Sequence, residues 1–186
     1  MNETLKTIQK RFSCRDFKDE MPSDEALEAI ALAALQAPSG MNRQPWQVII
    51  VQNRELMREL EEVAEKGLAA MDEAFYDNVM SRRGCLFYGA PCMIVFAVTS
   101  SYPKGAEMMD LGIAAQNAVI AAASLGINSL HCGLASLSFA GDRREEFRKK
   151  LGIAENYEFG LAVLLGKAAS ITDPHPPKMR KMSFIR

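Results

Sequence analysis

The stretch from Met108 to Leu125 constrains this chain most: it has helical length, is rich in alanine, is apolar nearly all round, and stops at Gly126, a residue suited to a left-handed C-terminal cap. A helix without a polar face must be covered on every side. In a chain of 186 residues that is a severe demand, and it is met more easily when a second subunit supplies part of the cover. A second constraint comes from Cys92 to Val98, a continuous apolar run with β-branched residues that follows Pro91 and reads as a buried strand.

The remaining elements alternate around these two. Leu5, Ile8 and Phe12 suggest a short first helix. Ser23 reads as an N-cap with Asp24 and Glu25 in the first turn, Leu27, Ile30, Ala31, Ala34 and Leu35 continue at helical spacing, and Pro38 stops the helix. Residues 39–44 then form a loop that delivers the chain into a strand at Val48–Val51. Asn53 caps a further helix through Leu56, Leu60, Val63 and Ala64, closed by Gly67. Residues 68–89 mix Met71, Phe75, Tyr76, Met80, Phe87 and Tyr88 with charges and no clean period, as in a lid or an excursion over a partner, against the plainer reading of an amphipathic helix. Residues 128–134 read as a third strand, Asp142 with Glu145 as a capping box for a helix to Leu151 with Gly152 beyond, and residues 158–165 as a last strand before a Pro-rich tail. The pattern predicts a three-layer α+β (α/β/α) sandwich in a single domain spanning 1–186.

Nearly half the residues are apolar, enough for a sizeable core, and the formal charge of -1 argues against a nucleic-acid binder working through a basic surface. The N-terminus lacks the apolar core of a signal peptide and no apolar run approaches a membrane span, so a cytoplasmic location with no membrane partner is expected. The four cysteines contain no Cys-x-x-Cys pair and read as free thiols, with Cys14 drawn toward the thiolate if Arg15 acts on it and otherwise simply buried. His131 and His175 have no ligand cluster near them in sequence, and no metal is expected. Gly160 and Gly166-Lys167 miss the phosphate-loop spacing by one residue and are followed by Ala168, no dinucleotide-binding glycine fingerprint follows a strand, and Ser136 and Ser138 lack a nucleophile-elbow pattern.

Three separated groups of residues carry the chemistry. Arg11, Ser13 and Arg15 bring two guanidinium groups and a hydroxyl within five residues, a grip suited to phosphate oxygens. The loop holding Pro38, Ser39, Asn42 and Gln44 offers small and amide side chains that pair with both donors and acceptors on the edge of a flat heteroaromatic ring. Lys178 and Arg180 add two cations to a tail that needs a tether to stay ordered. Singly, each reads as ordinary surface; together they describe one divided site.

These motifs resemble the FMN-dependent nitroreductase family. Arg11, Ser13, Arg15 and Phe17 match its opening pattern, Pro38, Ser39, Asn42, Gln44, Pro45 and Trp46 its most specific stretch, and Lys178 and Arg180 its C-terminal Lys-x-Arg, so the likeness spans the whole chain. The resemblance implies a mixed, largely antiparallel sheet flanked by helices, an intertwined homodimer with an exchanged C-terminal tail, and bound FMN. It implies ping-pong transfer from NADH or NADPH to a nitroaromatic, quinone or similar electron-poor acceptor, with no protein side chain as catalyst because the flavin carries the chemistry. On that reading Arg11, Arg15, Lys178 and Arg180 neutralise the phosphate, one or more also lying near the pyrimidine edge, and Ser13, Ser39, Asn42 and Gln44 hold the ribityl chain and ring. The turn Leu134, Ala135 and Ser136 lies against the isoalloxazine, and Trp46 anchors packing. Phe12 replaces a second arginine common in the family, leaving only its main chain for a flavin contact. Two other uses stay open: a dedicated reaction on the same scaffold, such as dehalogenation, flavin fragmentation or ring dehydrogenation, and a non-catalytic flavin-binding redox sensor.

Overall fold

The computed structural model describes residues 1–99 and 105–186, and of Arg82 and Arg83 the backbone alone. Local capping sets most of the helix starts. Helix α1 (Glu3–Lys10) begins where the Asn2 side chain accepts the Leu5 N–H, and α2 (Asp24–Leu35) where Ser23 accepts the Ala26 N–H, burying Leu27, Ile30 and Ala34. Strand β1 (Trp46–Val51) leads into α3 (Arg54–Met71), capped by Asn53 on the Leu56 N–H. Asp72 ends α3 and caps α4 (Glu73–Arg83), which stops at Gly84 in the left-handed region (φ 71°). Strand β2 (Cys92–Thr99), helix α5 (Ala106–Ser124), strand β3 (Asn128–Cys132), helix α6 (Arg144–Lys150) and strand β4 (Tyr157–Gly166) complete the regular elements. Short 3-10 turns occupy Gly40–Asn42, Gly133–Phe139 and Met179–Lys181.

The sheet order is β1-β2-β4-β3, antiparallel at each junction, and a parallel bridge from Ser13 to Ser129 adds the N-terminal segment outside β3. Because side chains alternate across a strand, β2 feeds two cores at once. Met93, Val95 and Ala97 join Leu60, Ala64 and Phe147 on the α3 and α6 side, while Cys92, Ile94 and Phe96 join Ile30, Ala34, Ala115 and Ala118 on the α2 and α5 side. This is the expected three-layer arrangement, built on the continuous apolar run of β2. Among the described residues, no helix is long and apolar enough to cross a membrane.

Three sequence readings need correction. Gly67 does not close α3 but sits inside it, and Asp72 ends the helix instead. Asp142 is not a cap, because α6 starts one residue later from Arg143 with no side-chain cap bond. The third strand ends at Cys132, and the residues beyond it coil into the 3-10 turn. Helix α5 is covered within the chain on one side. Leu111, Ala114, Ala118 and Ala122 face the core while Met108, Met109 and Ile113 stay exposed, since α2 and the sheet can cover one side of a helix but not both.

Candidate functional site

The segment from Ser13 to Lys18 is fixed by its backbone. The Cys14 N–H donates to Ser129 O (3.0 Å), Phe17 to Tyr88 O (3.2 Å), Lys18 to Lys167 O (2.8 Å), and the Ala169 N–H returns to Asp16 O (2.8 Å). Cys14 is fully buried, with its thiol donating to Asp16 O, and among the described residues none of the four cysteines forms a disulfide. The flanking side chains then project on a rigid base. Arg11, Phe12, Ser13 and Arg15 line one side of a cleft of about 520 Å³, and Asp173, His175 and Pro177 of the tail line the other. Neither Arg11 nor Arg15 takes part in an ion pair among the described residues. Two unpaired guanidinium groups around a hydroxyl form a receptor for an anion.

Arg15 also lines a second groove of about 230 Å³ with Leu134, His131, Tyr88 and Phe75. Leu134 is half-buried there, Ala135 is buried and Ser136 is exposed, all within the 133–139 turn. Burial pushes the Cys132 thiol, which opens that turn, up to about 11 despite backbone hydrogen bonds from Ala135 and Leu134, so it stays protonated. The two cavities thus share Arg15, and the smaller one runs to the apolar side chains Phe75, Val79 and Leu134.

The loop before β1 is built as tightly. The Ser39 hydroxyl accepts the Gln44 N–H (2.8 Å), the Gln44 amide donates to Asn42 Oδ1 (3.1 Å), and the buried Asp110 carboxylate of α5 accepts the Gly40 N–H (3.1 Å). Met41, Asn42 and Gln44 hold φ near +50° (55°, 54° and 48°), a conformation that non-glycine residues adopt at a cost and that concentrates at binding loops. Pro38 is exposed, and Trp46 is packed in the α2-side core.

Sheet register sets the distance between the two groups. Trp46 pairs with Val98 at one end of the outermost strand β1, whereas Ser13 pairs with Ser129 near the opposite end, beyond the other outermost strand β3. Four strand spacings of roughly 4.8 Å separate these edges, so within one chain the Ser39–Gln44 loop and the Arg11–Arg15 grip occupy diagonal corners. Lys178 and Arg180 flank Met179 on a tail exposed from Ala169 to the end, and neither is in an ion pair among the described residues.

Three participants escaped the sequence reading. Asp110, a lone acid in an apolar helix, was visible as an anomaly but its partner 70 residues away was not. Tyr88 stands between the cleft-lining residues with φ 54°, marked in sequence only by the following Gly89. His131 reads as an ordinary strand histidine until β3 brings it to the groove.

Layered helices on both faces of an antiparallel sheet, with cations outside any ion pair among the described residues at one corner and a strained amide loop at the other, define a small α+β protein. Residues 8–167 match the model of the nitroreductase family, and the chain belongs to that family. It is 34% identical over 169 residues to a relative from Archaeoglobus fulgidus named as a candidate NADH dehydrogenase/NAD(P)H nitroreductase, covering 89% of this chain and 86% of that one. A nitroreductase with bound FMN from Desulfitobacterium hafniense superposes with a TM-score of 0.97 at 53% identity, and one from Bacteroides fragilis, also with bound FMN, with 0.88 at 26%; both span 100% of either chain.

Proposed function

We propose that the protein is an FMN-dependent oxidoreductase that draws electrons from NADH or NADPH and delivers them to small electron-poor acceptors, nitroaromatics or quinones among them, in a ping-pong cycle. The observation that carries this is the set of cations without ion-pair partners among the described residues: Arg11 and Arg15 on a rigid base, Lys178 and Arg180 on the tail. FMN supplies the two-electron chemistry once bound. The chain supplies the rest. Arg11, Arg15, Lys178 and Arg180 bind the phosphate and offset negative charge, the Phe12 main chain and Ser13 add hydrogen bonds, and Leu134, Ala135 and Ser136 back the ring from the 133–139 turn.

Pro38, Ser39, Asn42 and Gln44 complete the site from a second copy. Their diagonal distance from Arg11 within one chain supports this, because a symmetric dimer brings the loop of one copy to the grip of the other. Residues 1–186 act in this reading as one domain per subunit, and the exposed apolar face of α5 and the exposed tail are what the partner covers.

Purified protein should be yellow, and its visible flavin bands should bleach under anaerobic addition of NADH or NADPH and return on adding a nitroaromatic or quinone. A colourless protein that cannot be reconstituted with FMN would overturn the proposal. Replacing Lys178 and Arg180 together by Ala should weaken FMN retention by roughly tenfold or more, the scale of lost charged hydrogen bonds; unchanged affinity would remove both from the site.

A further inference from the structure

His131 lines the smaller groove beside Arg15, the residue that the two clefts share, and no role has been given to it. Its neighbours on β3, Leu130 and Cys132, turn into the α3-side core, so alternation sends the imidazole to the opposite face of the sheet, and the parallel Ser13–Ser129 bridge sets Arg15 alongside it. The residue stays in contact with solvent, which leaves a route for protons, and it shares the smaller groove with Arg15. Crowding by the surrounding chain, and then the positive charge of Arg11, hold its pKa below the ordinary histidine value. We propose that His131 is the proton-coupled arm of the anion receptor, an imidazole that takes up a proton when a phosphate-class anion settles among it, Arg11 and Arg15.

The charges that bear on the ring come from every side of this corner. Arg11 and Arg15 approach from the N-terminal segment, and Lys10 of α1 lines a hollow shared with Arg11. Tyr88 enters from the 84–90 loop, and Asp173 and His175 of the tail line the larger cleft with both arginines. From α4 come Phe75 and Asn78, which carry no charge, and Cys132 on β3 is a neutral thiol. Among the described residues no carboxylate lines the smaller groove with His131, so an anion that enters there meets the imidazole and Arg15 without a competing acid. An anion cancels the repulsion from Arg11 and favours the imidazolium, which then adds a third charged hydrogen bond donor. By linkage, the same coupling makes anion binding stronger as pH falls through the histidine titration, up to about tenfold per pH unit for one proton.

The inference rests on the reading of this corner as the flavin phosphate receptor, but its test stands apart from enzyme turnover. The chain has only two histidines, so proton NMR can follow both imidazole titrations, with His131→Gln assigning the resonance. Three samples are compared: protein as purified with FMN, the same protein stripped of FMN, and stripped protein in excess sulfate, which stays a dianion across the range. His131 should titrate below the usual histidine range in the stripped protein and shift upward with either FMN or sulfate. Arg11→Gln should raise the stripped-state midpoint, and sulfate should bind more tightly at pH 5 than at pH 8 in the parent but much less so in His131→Gln. A His131 midpoint that neither anion moves, in protein that binds FMN normally, would overturn the inference and leave the flavin reading intact. A midpoint that sulfate moves in protein that never binds FMN would support the inference and overturn the flavin reading.

Discussion

Glu61 shows how a single carboxylate shapes the wall of the candidate site. It sits half-buried on α3, and its Oε1 accepts the N–H of Phe87 at the base of the loop that carries Tyr88 into the groove. Burial raises its pKa above the ordinary value, the Phe87 hydrogen bond opposes that, and nearby Glu65 adds to the rise. A carboxyl with a raised folded pKa binds its proton more tightly in the native than in the unfolded chain. Its contribution to stability is therefore full below the unfolded pKa and is lost as pH rises through the folded value. Glu61→Gln keeps an acceptor for Phe87 and abolishes the titration. Its urea midpoint should lie near or below that of the parent at pH 4 and gain on it by pH 7. A constant gap between the two proteins across that range would show that Glu61 does not carry the pH dependence.

Elements were legible where their signal was local. Ser23 and Asn53 announced α2 and α3 because a cap needs only the next three residues, and β2 announced itself because a strand buried on both faces has no polar positions to confuse it. The Arg11–Arg15 grip was legible for the same reason. What failed was set at long range. The tether of Gly40 to Asp110, 70 residues away, had no local sign. Gly160 is the sharpest such case. It occupies the register slip between Phe96 and Ala97 where β4 crosses β2, and an added Cβ would fall 2.4 Å from Leu111 Cδ2 of α5 and 3.3 Å from the Phe96 carbonyl oxygen. Leu111 is fully buried and the backbone oxygen cannot retreat. Gly160→Ala should destabilise the fold by about 1–3 kcal/mol through overpacking, read as a lower denaturant midpoint, whereas Gly112→Ala, where nothing lies within 4 Å, should not. Equal midpoints for the two variants would mean that the α5–sheet contact is loose.

At the scale of the whole molecule, three exposed features point to one cause. The outer face of α5 leaves Met109 71% and Ile113 37% exposed, the tail leaves Phe184 73% and Ile185 100% exposed, and the strained amide loop sits diagonally across the sheet from the cations it is proposed to work with. Apolar surface of this extent marks an interaction site. The two-fold dimer proposed above would answer all three together, pairing the α5 faces, carrying each loop to the other copy's grip and giving each tail a surface to cross. Light scattering after size exclusion should therefore give twice the chain mass at micromolar concentration. Met109→Glu with Ile113→Glu should convert the protein to monomer, because two charges on each copy would have to be buried without partners. FMN retention should fall in the same variant by roughly tenfold or more, although neither residue lines the Arg11 cleft, since the loop's hydrogen bonds are withdrawn from the site. A monomer that keeps FMN as tightly as the parent would mean that one chain holds the cofactor alone and that the loop from Pro38 to Gln44 serves some other purpose.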